Sequence, residues 1–178
     1  MVSEDIQRRR DEYMEVMREH GRKAPADIVT SVAETQCALL ELFGSVAEAQ
    51  AIRRPAPDQW SLHELALHAV FTERLIAKLI HHWARGGMPP AEDFEGAGIG
   101  MMPRADARSY AEVLRDLSSV NNELLNSVRN LPEHPNAEFV APHPFFGPLN
   151  CLEWAGFQRV HDTDHLQHGE KILSATHG

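Results

Sequence analysis

Two histidines near the carboxyl end of the sequence have the spacing of a metal site on a helix. His161 and His165 are four residues apart in the run HDTDHLQH. Such residues lie about 40° apart around a helix axis and one turn apart along it, so both imidazoles can reach one ion. They share a helical stripe with Trp154 and Ile172, which predicts that both rings point into the protein.

A third ligand is expected from another helix, because metal sites in helical bundles are built from facing helices. His68 is the best candidate, since it lies between Leu65 and Thr72 at helical spacing on the apolar side of its helix. A lone histidine there is more often a core residue with a hydrogen-bond partner. Three buried imidazoles, however, would each need a polar partner, and one ion serves all three. His168, seven residues after His161, is the competing ligand, or it borders the site.

Three neutral imidazoles leave a divalent ion with its full charge and at least one open coordination position, as in catalytic zinc sites. Such an ion lowers the pKa of a bound water toward about 7, or holds a thiol as thiolate. Zinc and nickel both suit imidazole, so the expected cofactor is one divalent ion, Zn or Ni. Asp164 and Glu64 are carboxylates close in sequence that could orient a ligand, and the spacing does not rank them.

The hydrophobic periodicity predicts five helices and no strand. Asp27 is the expected N-cap of the second helix, and Ser61 with Glu64 forms a capping box at the start of the third. The helices are expected over Ser3 to about Glu19, Asp27 to about Val46, Ser61 to about Trp83, Ala107 to Leu131 and Leu149 to Ser174. This pattern predicts an all-α fold, a four-helix bundle with an additional N-terminal helix. The expected division is an N-terminal helical extension, 1–24, and a bundle domain, 25–178.

Several smaller features complete these expectations. His63 is expected on the outer side of the third helix, with His81 and His82 at its carboxyl end, where the helix dipole favours them. The loop from Gly86 to Pro103 is long enough to act as a lid over the site. Arg104 and Arg108, which follow it, could pair with the carboxylates of a thiol cofactor, although solvated arginines at a helix start are the commoner case.

The composition excludes several classes of function. The net charge of −9 gives no basic surface for nucleic acid. No run approaches the ~18 apolar residues of a membrane span, and the first residues lack the apolar core of a signal peptide. Cys37 and Cys151 are far apart and lie in apolar stretches, which predicts core residues in a reducing cytoplasm rather than a disulfide. A soluble, cytoplasmic protein is therefore expected.

The order of several separate elements resembles the DinB/YfiT superfamily of metal-binding four-helix bundles. The elements are Trp60-Ser61 leading to His68, the segment His143-Pro144-Phe145-Phe146-Gly147, Glu153-Trp154, and the pair His161 and His165. The resemblance covers about Asp27 to Ser174. It implies His68, His161 and His165 as ligands of a divalent metal, the same three residues that the spacing indicates. It does not imply binding to DNA.

Members of that superfamily include proposed metal-dependent hydrolases and enzymes that transfer low-molecular-weight thiols such as bacillithiol, mycothiol or glutathione. The resemblance therefore implies a metal-dependent thiol S-transferase or hydrolase acting on a small electrophilic molecule. The alternative is a non-catalytic bundle, a metal-binding or dimerisation module in which the ion is structural. The apolar stripe Tyr13, Met14 and Met17 on the charged first helix predicts a homodimer.

Overall fold

The computed structural model describes residues 4–91 and 107–176 as six helices and one short hairpin. The helices are α1 (Glu4–His20), α2 (Pro25–Gly44), α3 (Glu48–Ala51), α4 (Leu62–Ala84), α5 (Tyr110–Arg129) and α6 (Cys151–Thr176), and the strands are β1 (Ala141–His143) and β2 (Gly147–Leu149). The long helices α2, α4, α5 and α6 form a ring, in which α2 packs on α5, α5 on α4, α4 on α6 and α6 on α2. This arrangement confirms the predicted four-helix bundle.

The helix starts are fixed by local hydrogen bonds, and one of them differs from the prediction. The Ser61 side chain accepts from the Glu64 N–H while the Glu64 carboxylate accepts from the Ser61 N–H, which confirms the capping box of α4. The predicted Asp27 cap is wrong. Helix α2 begins at Pro25 instead, after the extended residue Ala24, because proline at the first helical position needs no N–H partner.

The connection after α5 contains the hairpin, which was not predicted. Strands β1 and β2 pair in antiparallel fashion, with His143 opposite Gly147. Gly147 has φ of +83°, a conformation that glycine adopts most easily. Each strand has three residues and contains a proline, which removes the usual sequence signal of a strand. The four-residue helix α3 was not predicted either.

Helix α1 packs along α6 and closes one side of the bundle. Met17 is fully buried, and Tyr13 and Met14 pack against the same hydrophobic cluster. The stripe that suggested a dimer is therefore covered within the chain. The homodimer stays a prediction that sedimentation would test, and it would have to use another surface.

Other predictions have mixed outcomes. Cys151 is buried as expected, but Cys37 is exposed because it falls on the outer side of α2. Arg108 forms an ion pair with Asp116 near the start of α5. Arg104 and the predicted lid beyond Ala91 lie outside the described residues. Within the described ranges, no helix has the length and apolar character needed to cross a bilayer.

Candidate metal centre

Three imidazole nitrogens meet where α4 faces α6. His68 Nε2 lies 3.1 Å from His161 Nε2, and His165 Nε2 lies 2.9 Å from the same atom. All three ligand atoms fall within 4.8 Å of one another, and they form the one such cluster of histidine, cysteine or acidic residues in the described part of the chain. The structure thus brings together the three histidines that the spacing singled out.

The separation of these nitrogens suits a divalent ion. Zinc lies 2.0–2.1 Å from imidazole nitrogen, so nitrogens at tetrahedral positions are about 3.3 Å apart. The two closest contacts in the cluster are 2.9 and 3.1 Å, so a small outward movement of the rings would make room for the ion.

Burial keeps these imidazoles unprotonated, which is the state that binds metal. It lowers the pKa of His68 to about 4, with a smaller contribution from His168. It lowers the pKa of His165 to about 3, and that of His161 well below its ordinary value. Neighbouring imidazoles contribute to each shift, because two positive charges in a buried cluster repel each other. At neutral pH, all three imidazoles are therefore uncharged, and each has one nitrogen with a lone pair that can bind an ion.

A buried carboxyl group, that of Asp162, lies beside His161, the histidine whose Nε2 contacts the other two imidazoles. His161 Nδ1 lies 3.4 Å from Asp162 Oδ1, and the Asp162 side chain is completely buried. Gln158 Nε2 is 3.3 Å from the same Nδ1 atom, but its closer contact is with Asp162 Oδ1, at 2.6 Å. An ion bound at Nε2 would leave the proton of His161 on Nδ1, where Asp162 Oδ1 can accept it. Such a carboxylate orients the ring of a metal-ligating histidine and raises its basicity.

Behind Asp162, polar side chains from all four bundle helices form a buried layer. Its centre is Glu73 of α4, which is fully buried and accepts from Gln36 of α2 at 3.0 Å and from Gln158 of α6 at 3.4 Å. With its amide nitrogen turned toward the carboxylate, Asn121 of α5 donates to both Glu73 oxygens. We call these residues the polar layer: Gln36, Glu73, Asn121, Gln158 and Asp162.

In the absence of a metal ion, the two carboxyl groups of the polar layer favour their protonated forms, whereas the positive charge of an ion on His161 would favour the carboxylate form of Asp162. Burial, together with the neighbouring Asp162, raises the pKa of Glu73 well above its ordinary value. Burial also raises the pKa of Asp162 to about 8, although the hydrogen bond from Gln158 opposes that change.

The carboxylates suggested from the sequence have other partners. Asp164 accepts from Tyr13 at 3.0 Å and forms an ion pair with Arg9, so it links α6 to α1. Glu64 is held by its capping box and by an ion pair with Arg54. Neither is a hydrogen-bond partner of the three histidines, and Asp162, which was not suggested, takes that place.

The other histidines lie outside the cluster. His168 is not part of the cluster. Its ring centre lies 6.2 Å from that of Trp60, which in turn lies 5.1 Å from the ring of His68, so His168 borders the site. His63 was expected on the outer side of its helix, but it packs edge-on against Tyr110 of α5, with ring centres 5.8 Å apart. His81 and His82 lie in the last turn of α4, as expected.

The cluster opens onto a cavity of about 380 Å³ between α1, α4, α6 and the hairpin. Apart from His68, His161 and His165, the cavity is lined mostly by aromatic and aliphatic side chains. These are Tyr13, Phe71, Leu75, Ile76, Phe145, Phe146, Trp154, Phe157 and Val160. The polar groups around it are Arg9, Arg10, Thr72, His143 and Asp164. Concave, largely apolar sites with a few polar groups are typical of small-molecule binding.

Solved structures with the same fold include two four-helix bundle proteins. TT2238, described as a four-helix bundle protein, is 23% identical over 83% of this chain and 98% of its own, with a TM-score of 0.63. YfiT from Bacillus subtilis, described as a probable metal-dependent hydrolase with an unusual four-helix bundle topology, is 13% identical over 86% of this chain and 87% of its own, with a TM-score of 0.60. No curated protein matches the sequence. The model of the DinB superfamily matches residues 31–168, and the chain therefore belongs to that superfamily.

Proposed function

We propose that this protein is a divalent-metal-dependent enzyme that acts on a small, largely apolar electrophile, with hydrolysis as its first candidate reaction. The observation that carries the proposal is the position of the three-histidine cluster, which lies in the wall of an aromatic cavity. A site that only stabilised the fold would have no need of such a cavity. The similarity to YfiT, described as a probable metal-dependent hydrolase, adds support at the level of the fold.

Each part of the site has a separate task. His68, His161 and His165 would hold the ion, and Asp162 would orient the His161 ring through Nδ1. When bound there, a divalent ion supplies Lewis acidity and an open position that acidifies water or a thiol. Tyr13, Phe146 and Phe157 exclude bulk water from the cavity, which strengthens every electrostatic interaction inside it.

Thiol S-transfer is the second candidate, and Arg10 is the residue that favours it. Arg10 lines the cavity, and its guanidinium lies 6.0 Å from the centre of the Phe145 ring. Its buried Nε atom has no hydrogen-bond partner among the described residues. An arginine of this kind can take a carboxylate, and low-molecular-weight thiols such as glutathione carry carboxylates.

A structural ion is the rival to both reactions, and the packing argues against it. The core already consists of two hydrophobic clusters that extend well beyond the histidines. A bundle of this size and burial does not depend on a metal to fold, unlike small zinc domains. We also propose that the protein works in the cytoplasm, where its two free cysteines remain reduced.

The test combines metal removal with a panel of substrates. Metal-loaded and metal-stripped protein would be assayed for hydrolysis of 4-nitrophenyl acetate, and for conjugation of 1-chloro-2,4-dinitrobenzene with glutathione, cysteine or bacillithiol. Metal-dependent hydrolysis without thiol supports the hydrolase. Conjugation that requires both thiol and metal supports the transferase, and Arg10→Gln should then raise KM for the thiol. Neither activity, with a fold that melts when the metal is removed, would leave the structural ion as the better explanation.

A further inference from the structure

The hairpin fixes the protonation of one cavity histidine that is not part of the metal cluster. His143 ends β1, and its Nδ1 accepts from the N–H of Phe145 at 3.1 Å and from the N–H of Phe146 at 3.2 Å. A nitrogen that accepts two backbone hydrogen bonds presents its lone pair and carries no proton. The ring proton of neutral His143 therefore resides on Nε2.

The surroundings of His143 also keep it neutral. Its ring lies against those of Phe146, Trp154 and Phe157, with centre-to-centre distances of 4.7–5.0 Å. Burial lowers the pKa of His143 to about 4. A second proton would have to sit on Nδ1, where it would face two N–H donors. The residue is thus held in a single tautomer across the physiological pH range.

The Nε2–H group of His143 is a donor without a partner in the described residues. No hydrogen bond to this atom is formed by the hairpin or the neighbouring helices, although the residue is only 9% exposed. His143 lines the same cavity as His161. The electrostatic effect of His143 lowers the pKa of His161, so the two imidazoles are near each other. The Nε2 atom itself is not among the fully buried atoms, so this donor stays accessible to a ligand or water in the cavity.

We propose that His143 binds substrate, donating its Nε2–H hydrogen bond to an oxygen of the molecule held beside the metal centre. This inference rests on the proposed function, and it narrows the substrate class to apolar, aromatic-sized molecules that carry a carbonyl-type oxygen, such as esters and amides. The aromatic side chains of the cavity would pack against the apolar part of the molecule, and the Nε2–H group of His143 would donate a hydrogen bond to its oxygen. Because its pKa is far below 7, His143 orients and polarises that oxygen rather than protonating it.

The direct test is NMR of the imidazole nitrogens in the metal-free protein, titrated with benzamide and, as a matched control, toluene. Benzamide offers a carbonyl oxygen on an aromatic ring and is not turned over without metal, whereas toluene has a similar ring and no acceptor. We expect His143 to be protonated on Nε2 alone, and its Nε2–H proton to move downfield with benzamide only. Protonation on Nδ1, or equal shifts with both probes, would overturn the proposal.

Two variants separate a role in substrate binding from a role in folding. His143→Asn keeps a side-chain oxygen that can accept from the Phe145 and Phe146 N–H groups, as asparagine does in turns, but it loses the Nε2–H donor. His143→Phe keeps the ring and loses both functions. We expect H143N to retain the metal content and melting temperature of the natural protein while its kcat/KM for 4-nitrophenyl acetate falls 10- to 100-fold. We expect H143F to be destabilised as well.

The outcomes distinguish this inference from the proposed function. If the benzamide shift occurs but no metal-dependent reaction is found, His143 remains a ligand-binding residue and the enzymatic proposal fails. If metal-dependent hydrolysis is found and H143N is as active as the natural protein, the enzyme stands and the role of His143 is overturned.

Discussion

The Nδ1 atom of His161 lies 3.4 Å from Oδ1 of Asp162, the next residue along α6, whose side chain is completely buried. The position of this carboxylate explains why the His161 ring presents Nε2 to the cluster. We expect Asp162→Asn to weaken metal binding by at least tenfold, because the amide is a poorer acceptor for the Nδ1 proton. Competition with a chelating dye would measure the affinity. The matched control is Asp164→Asn, which should bind metal normally, and equal affinities in both variants would contradict the role of Asp162.

The cluster should hold one divalent ion per chain. Protein purified without a histidine tag or chelator would be analysed by mass spectrometry for its metal content. We expect His161→Ala, His165→Ala or His68→Ala to reduce that content sharply. His168→Ala should have less effect, since this ring packs near Trp60 outside the cluster. Unchanged metal in the first three variants would remove the assignment, and a larger loss in His168→Ala would identify a different third ligand.

Stability of the metal-free protein should fall in acid. The pKa of His68 is lowered to about 4 and that of His165 to about 3 in the folded protein. In the unfolded chain, the pKa of a histidine is about 6.5. As the pH falls below 6.5 the unfolded chain binds protons first, so the free energy of unfolding decreases down to about pH 4. Urea unfolding across this range would show the trend. His68→Phe removes one of these groups and should reduce the slope by up to one proton, or about 1.4 kcal/mol per pH unit. An unchanged slope in this variant would count against a buried neutral His68.

The polar layer predicts an opposite trend at higher pH. The pKa of Asp162 is raised to about 8 and that of Glu73 is also raised, so the folded protein keeps protons that the unfolded chain has released. Their stabilising contribution is complete below about pH 4 and is lost as the pH rises toward 8. Below pH 6.5 the larger number of buried imidazoles dominates, so we expect greatest stability of the metal-free protein near pH 6.5. In Asp162→Asn, the free energy of unfolding should decrease less steeply above pH 6.5. An unchanged decrease in this variant would mean that other groups cause it.

The close approach of α1 to α6 should depend on Gly156. A Cβ atom at Gly156 would lie 2.5 Å from the Cβ of His20, so Gly156→Ala must push α1 away from α6. We expect a loss of about 1–3 kcal/mol in the free energy of unfolding, together with weaker binding of apolar ligands in the cavity that α1 helps to close. The control is Gly44→Ala, where no atom lies within 4 Å of the new Cβ and where alanine favours the helix. Equal stability of the two variants would contradict this account.

The cluster was predictable because its geometry is local and repeated. His161 and His165 follow directly from helical spacing, and His68 from its place in the apolar stripe of α4. The capping box at Ser61 is equally local. The start of α6 has a similar local signal, because Asn150 accepts from two backbone N–H groups and Glu153 accepts from the Asn150 N–H.

The environment of the cluster was not predictable, because it depends on contacts between distant segments. Helix α6 packs on α1, α2 and α4, so it is buried on several sides and its sequence does not show which polar residues point inward. Asp162 is one example, since Gln158 is its neighbour within α6 but Glu73 comes near it only when α4 and α6 meet. His143 is another example, because its tautomer depends on hydrogen bonds within the hairpin. The prolines in both strands remove the sequence pattern that would have predicted this hairpin.

The polar layer also has a consequence for how the helices align along the bundle. Apolar faces tolerate sliding of one helix past another, whereas Gln36 and Asn121 can both donate to Glu73 only at a single axial register. A buried asparagine fixes the register of coiled coils in this way, at some expense of stability. We therefore expect simultaneous replacement of these three residues by leucine or methionine to raise the melting temperature. In the same variant, the d–d absorption bands of bound cobalt should broaden. The reason is that α4 and α6 would no longer hold the imidazoles at one fixed separation.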